Sequence, residues 1–198
     1  MPKKLDIEKL KKEIERLNKL VYRDELTGLL NRRGFLNEVT KAFRAISFKR
    51  TEIERRLGFQ IPFTIIFFDL DNFKKINDTC GHEAGDAALK NVASILKSRL
   101  RSSDVCCRWG GEEFLIALLG ADVSAAFKIA ENLRKIIESK KFPAKKGKLT
   151  ITASFGVAGY TNEPALEELI KKADKAMYKS KKSGKNKITI FKESNLKK

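Results

Sequence analysis

The chain has 198 residues, 42% of them hydrophobic, and a formal charge of +17, which leaves room for one domain with a full core plus a short appendage and excludes two large domains. The longest near-apolar run, 61–68, is far shorter than the roughly 20 residues a bilayer crossing needs, and the N-terminus has no signal-peptide pattern, so the chain reads as cytoplasmic with no membrane segment in this stretch. Three cysteines, Cys80, Cys106 and Cys107, support neither a disulfide framework nor a four-ligand zinc site and are expected as buried thiols.

Along the chain, Ile7, Leu10, Ile14, Leu17 and Val21 repeat at three-then-four spacing with β-branched residues at each a position and Leu at both d positions, a pattern that favours a parallel two-stranded coiled coil. Five such side chains contribute roughly 1.5–3 kcal/mol each against the cost of ordering about eighteen residues at roughly 1–2 kcal/mol each. The pairing alone is therefore a marginal dimer, and the alternative is that this face packs on the chain's own globular part. The expected division is 1–22 as an N-terminal signalling helix and 23–198 as the globular domain. Phe35, Val39, Phe43 and Ile46 follow helical spacing, whereas the basic, unpatterned 48–62 reads as an inserted surface loop. Phe63 to Phe68 reads as a buried strand, and Leu89, Val92, Leu96 and Leu100 as the inner side of a helix over 87–100. Two apolar stretches, Val105 to Trp109 and Phe114 to Leu119, flank a diglycine turn as a hairpin should. A helix over 121–140, a strand within 149–157, a last helix opened by Pro164 and a strand over 187–191 complete the order. Strand, helix, strand, strand, helix, strand is the order of a ferredoxin-like α+β core, the topology of polymerase palms: an antiparallel sheet flanked by helices, with an N-terminal helix.

Chemistry concentrates at two places. Gly110-Gly111-Glu112-Glu113-Phe114 presents an acidic pair at the hairpin tip, and Asp69 and Asp71 lie where the strand ends and its loop opens toward a site. Carboxylates from two strand ends can converge on a metal, and magnesium takes one or two of them plus substrate phosphates. No Gly-x-x-x-x-Gly-Lys-Ser/Thr segment is present, so a P-loop is not the phosphate cradle. His82 has no histidine partner and no nucleophile pattern beside it, which makes it structural. Residues 171–198 carry eleven lysines against Asp174 and Glu193, a net +9, and 140–148 adds a further basic cluster. Such charge suits a polyphosphate substrate. Nucleic acid fits the charge alone, but no helix-turn-helix or RNA-binding signature and no basic stretch interleaved with aromatics supports it.

Phe68-Asp69-Leu70-Asp71-Asn72-Phe73-Lys74, Asn77-Asp78, Gly81-His82, Gly85-Asp86 and Gly110 to Phe114, together with the opening run Asp24 to Arg33, resemble the GGDEF family of diguanylate cyclases over roughly 23–191, here in a GGEEF variant. The resemblance makes 23–198 a catalytic domain that condenses two GTP into cyclic di-GMP and two pyrophosphates. It implies Glu112 and Glu113 as catalytic residues, and Asp69, the Leu70 carbonyl and Glu112 as ligands of two Mg2+ (or Mn2+) ions per active site. It implies that the amides of Asn72 and Phe73 face the phosphates, with Lys74 nearby and Lys181 and Lys185 completing the clamp. Lys185 stands where the family commonly has arginine, which keeps the charge and loses bidentate geometry. Asn77 and Asp86 match the guanine-reading positions, since an amide can donate and accept while a carboxylate accepts from the ring N–H and amino group. Arg101 and Asp104 match the inhibitory site for cyclic di-GMP.

Because one site holds one GTP, the reaction requires a homodimer with two sites face to face, and an upstream sensor domain is a possible partner. A rival reading is a catalytically silent module that binds GTP or cyclic di-GMP and signals through a partner. Intact Asp69, Glu112, Glu113, Asn77 and Asp86 argue against it. A basic nucleic-acid-binding domain would instead show steep salt dependence of oligonucleotide binding and no nucleotide turnover.

Overall fold

The computed structural model describes residues 4–57, 61–144 and 147–193. Its centre is strand β1 (Phe63–Leu70), whose eight residues are all buried. A strand covered on both faces is near-continuously apolar, which is why Phe63 to Phe68 shows no alternation; the one polar member of that run, Thr64, donates its hydroxyl to the Ala121 carbonyl at 2.8 Å. β1 pairs antiparallel with β3 (Glu113–Leu119) on one side and β6 (Ala153–Gly159) on the other, and β2 (Val105–Gly110) and β7 (Ile188–Ile190) complete the order β2-β3-β1-β6-β7. The first four strands form the expected palm-like antiparallel core. The expectation of a wholly antiparallel sheet needs one correction: β7 joins β6 in parallel, because the connection through Gly184 to Lys187 returns the chain to the same end from which β6 set out.

One face of the sheet, with Ile66, Phe68 and Leu70, packs on α4 (His82–Arg99) through Leu89, Val92 and Leu96 and on α5 (Val123–Ser139) through Leu133 and Ile137. The other, with Phe63, Ile65 and Phe67, packs on Phe35, Val39 and Phe43 of α2 (Arg32–Leu57) and on Leu169, Ala173 and Met177 of α6 (Leu166–Lys182). α6 lies so close to β6 that a Cβ on Gly156 would sit 2.1 Å from the Ala173 carbonyl oxygen. Ser180, fully buried, donates to the Phe155 carbonyl at 2.8 Å and meets Thr189 Oγ1 at 2.7 Å, which fixes the helix end that carries Lys181.

Several boundaries differ from expectation. Backbone helix α2 continues to Leu57 where an inserted loop over 48–62 was expected. Thr51 to Leu57 is rich in Glu and Arg and free of glycine and proline, so intrinsic propensity carries the helix on although no apolar period announces it. Residues 58–60 lie outside the described residues, as do 145–146 of the basic cluster over 140–148. A short α3 (Phe73–Cys80) precedes α4, which starts at His82 rather than 87. The strand expected within 149–157 is two: β5 (Gly147–Thr150), in a separate hairpin with β4 (Lys141–Ala144), and β6. The last helix starts at Leu166, two residues beyond Pro164. α1 (Lys4–Tyr22) carries its five heptad residues exposed, from 39% at Val21 to 62% at Leu10, so the alternative of packing against the chain's own domain does not hold.

Candidate active site

The end of β1 places two aspartates with opposite fates. Asp69 is 4% exposed; Oδ2 lies 2.7 Å from Lys181 Nζ, while Oδ1 is buried without a hydrogen-bond partner. Burial pushes its carboxyl up, Lys181 opposes that, and Glu112 and Glu113 add to it, leaving the group at about 6. Asp71, expected to share the site, is consumed by the fold. It accepts from Ser154 Oγ at 2.6 Å, Thr152 Oγ1 at 2.7 Å and the Asn186 N–H at 3.0 Å, and so ties β6 and the C-terminal segment together. Of the first pair, then, Asp69 alone faces the hairpin.

The hairpin is tighter than its sequence indicates. β2 runs through Gly110 and β3 begins at Glu113, so Gly111 and Glu112 form the tip and Glu113 sits on the strand opposite Asp69. Neither glycine adopts a left-handed φ. A Cβ on Gly110 would lie 2.8 Å from Glu113 Oε2, whereas one on Gly111 would meet nothing within 4 Å, so the backbone at Gly111 is open to close approach by a ligand. The Leu70 N–H donates to the Glu112 carbonyl at 3.2 Å, which sets the tip beside the end of β1. Glu113 has its carboxyl raised by burial and by Asp174, against Lys181 and Arg32. Arg108 braces the turn from behind, with Nε on the Gly111 carbonyl at 2.9 Å and Nη1 on Asp24 at 3.0 Å. Asp24 in turn accepts from the Thr27 N–H and hydroxyl at 2.8 and 2.6 Å. The opening run and the hairpin tip are thereby one hydrogen-bonded unit.

Beyond β1, Asn72 adopts φ 58° and leaves α3 without a side-chain cap, because its Oδ1 accepts instead from Lys185 Nζ. Uncapped first-turn amides, including that of Phe73, are donors for an anion. The Phe73 side chain packs in the core and Lys74 is exposed. Asn77 reaches from α3 to α4: its Oδ1 is buried without a partner, and a Cβ on Gly85 would lie 2.0 Å from it. Asp86 is exposed in the interior of α4, whose N-cap is Gly81; it has no capping role. His82 is the exposed first residue of that helix.

The C-terminal half of the site comes from α6 and the loop between α6 and β7. Lys181 and Lys185 are brought to Asp69 and Asn72 respectively, so both sequence-predicted lysines converge on the strand end. Sequence reasoning missed the support behind them, in which Asn186 is hydrogen-bonded to Arg134 and Glu138 of α5. Arg101 and Asp104 lie apart from this cluster, closing a tight turn between α4 and β2, with the Arg101 N–H on Asp104 Oδ2 at 2.9 Å.

The donors at the β1 end suit a hard divalent cation: an orphaned, buried carboxylate oxygen, a strand-end carbonyl and the tip carboxylate of Glu112. Among the described residues no three His, Cys, Asp or Glu side chains gather into a metal cluster.

A palm-like sheet with carboxylates at one strand end and a diglycine hairpin beside them defines the class. The GGDEF family profile, described as "Diguanylate cyclase, GGDEF domain", matches residues 21–187, and the chain belongs to that family, whose cyclases generally depend on a divalent metal. It is similar to Diguanylate cyclase A of Treponema denticola, 43% identical over 66% of this chain and 36% of that protein. It is also similar to Diguanylate cyclase DosC of Escherichia coli, 37% identical over 86% of this chain and 35% of that protein. The chain thus spans about a third of the length of these curated relatives. Among solved structures, the coiled coil and GGDEF domain of DgcB from Caulobacter crescentus in complex with c-di-GMP superposes with a TM-score of 0.81 at 27% identity, covering 94% of both chains. Among the described residues no helix is long and apolar enough to cross a membrane.

Proposed function

We propose that the chain is the catalytic part of a diguanylate cyclase, which joins two GTP molecules into cyclic di-GMP. The observation that carries the proposal is Asp69 Oδ1, buried and unpaired directly across from the hairpin carboxylates. Stability alone gives no reason to bury that oxygen without a partner. Asp69, the Leu70 carbonyl and Glu112 would hold two Mg2+ or Mn2+ ions, which when bound would supply charge stabilisation for the attacking and leaving oxygens.

The remaining work falls to the chain's own groups. Asn77 and Asp86 read guanine. The amides of Asn72 and Phe73, with Lys74, Lys181 and Lys185, hold the phosphates, and Lys181 exchanges Asp69 for a phosphate oxygen when substrate arrives. Each 3′-hydroxyl attacks the α-phosphorus of the other nucleotide; the new P–O bond forms as the bond to the β-phosphate breaks, and pyrophosphate leaves with that electron pair. The hydroxyl proton passes to a hairpin carboxylate, Glu112 or Glu113, the latter made more basic by burial and Asp174. Because each subunit holds one nucleotide, two copies must face one another, and the exposed heptad face of α1 is the surface that would pair them. A sensor domain upstream would act by setting that pairing. Arg101 and Asp104 offer cyclic di-GMP a product site outside the catalytic cluster.

Incubating the purified chain with GTP and Mg2+ and separating the products by chromatography tests this. Cyclic di-GMP with two equivalents of pyrophosphate is expected. Tight GTP binding with no product would instead establish the silent-module reading, and oligonucleotide binding without turnover would establish a nucleic-acid-binding domain.

A further inference from the structure

Gly184, Lys185 and Asn186 follow one another in the left-handed region, at φ 108°, 60° and 47°. Glycine enters that region freely, but two successive residues bearing side chains persist there only where their neighbours over-determine the backbone. α5 supplies those neighbours. Arg134, its side chain 14% exposed, grips Glu131 through Nε at 2.8 Å and Nη2 at 2.9 Å. Its Nη1 then donates to Glu138 at 2.9 Å and to Asn186 Oδ1 at 2.8 Å. Asn186 Nδ2 donates to the other Glu138 oxygen at 2.7 Å, and the Asn186 main-chain N–H lies 3.0 Å from Asp71. Both ends of one amide and the backbone beside it are therefore fixed. The residue so aimed is its neighbour Lys185, whose ammonium reaches Asn72 Oδ1 at the uncapped start of α3.

We infer that Arg134 and Glu138 are positioning residues for the polyphosphate end of the nucleotide site, acting through Asn186 to hold Lys185 on its target. Neither touches the substrate. The inference rests on the reading of this site as a GTP site and adds to it a set of groups on a helix remote from the chemistry. Arginine is required at 134 because its planar fork makes four bonds in fixed directions, to Glu131, Glu138 and Asn186, and an ammonium on a flexible stem cannot span them. A merely structural brace, holding β7 on the sheet, would affect the base end and the phosphate end of the site alike.

The test uses the full chain with Mg2+ and two probes: GMP, and guanosine 5′-α,β-methylene triphosphate, in which the bond that must break is blocked. Arg134→Lys and Glu138→Ala are each expected to weaken triphosphate binding about tenfold, the scale of a charge-assisted contact. GMP affinity should stay within about twofold, and KM for GTP should rise with kcat little changed. Asn186→Gly, which keeps the left-handed region accessible but removes both side-chain anchors, should reproduce the selective loss without altering α5. In a Lys185→Met background, Arg134→Lys should add less than about twofold, because both changes act through one ammonium. Equal losses for GMP and triphosphate, or additive losses with Lys185→Met, would overturn the inference. A wild-type chain that binds the analogue yet makes no cyclic di-GMP would overturn the cyclase reading instead, and the two-probe comparison would still decide this one.

Discussion

Gly85→Ala sets a favourable local term against an unfavourable contact, and the geometry decides which wins where. In the first turn of α4, exchanging glycine for alanine favours the helix by about 1 kcal/mol. The added Cβ, however, would lie 2.0 Å from Asn77 Oδ1 and 3.0 Å from the Phe73 ring, so the amide must move by more than an ångström. Asn77 Oδ1 has no hydrogen-bond partner to lose, and rotating a side chain off its preferred angle costs about 0.5–1.5 kcal/mol. The two terms nearly cancel, and the melting temperature should change by less than about 4 °C for a chain of this size. Binding has no such compensation. With Asn77 turned away, guanine polar groups are buried unpaired at about 1–3 kcal/mol, so affinity for the methylene triphosphate analogue should fall about ten- to a hundredfold. Calorimetric titration beside thermal unfolding measures both. Wild-type affinity with undiminished preference for guanine over adenine would show that Asn77 does not read the base, and a large fall in melting temperature would show that the clash cannot be relieved by rotation.

Glu112→Gln should reduce cyclic di-GMP formation about a hundred- to a thousandfold with little change in the melting temperature, since one preorganised charge at the half-buried hairpin tip is lost while the side chain keeps its size; turnover above about a tenth of wild type would refute its role. Glu163 tests the acid limb of stability: burial raises its carboxyl, but Lys172 and the Thr161 N–H and hydroxyl hold it at about 2 against an ordinary 4.5. Its stabilisation of roughly 3 kcal/mol is present above the unfolded value and disappears as pH falls from about 4.5 to 2, so denaturant curves of wild type and Glu163→Gln should converge across that window. Added cyclic di-GMP should inhibit the wild-type chain and Arg101→Ala less, at equal initial rates, because alanine cannot hold phosphate bidentately; identical inhibition curves would remove Arg101 from the site. Specific activity should rise with enzyme concentration, and a parallel leucine zipper fused in register before Ile7 should raise it further; indifference to both would deny α1 a role in pairing.

The order of elements could be read because the core signals are strong and local. An unbroken apolar strand, an apolar hairpin around two glycines and helices with one greasy face each follow from burial alone. What escaped reading had no local signature. Thr51 to Leu57 is helical by propensity without an apolar period, so a pattern search sees a loop. Asp71 stands two residues from Asp69 and looks equivalent to it, yet Thr152, Ser154 and Asn186 claim its oxygens. Arg134 reads in the sequence as one polar residue on an amphipathic helix. Its partner Asn186 is 52 positions away, and no spacing rule relates residues that meet only after the sheet has formed.

The residues at which this chain departs from ordinary folding preferences are not scattered. Among the described residues, the two buried side-chain oxygens without a partner belong to Asp69 and Asn77. Among the described residues, the non-glycine ones in the left-handed region are Asn72, Lys185 and Asn186. Asn72, Asn77 and Asp69 lie on β1, α3 and the short connection between them, while Lys185 and Asn186 are tied to that same connection through Asn72 and Asp71. Each departure costs stability in the free chain, and in the proposed reading four of the five groups would meet one ligand, a cation at Asp69, a base at Asn77 and phosphates between Asn72 and Lys185, while Asn186 holds Lys185 in place. Sites where local rules fail together are where function is expected to lie. The consequence is thermodynamic. Ligand that settles these groups must stabilise the chain by more than its contacts with an already satisfied surface would, which ties occupancy of the site to the rigidity of the sheet end from which both the hairpin and α3 are held.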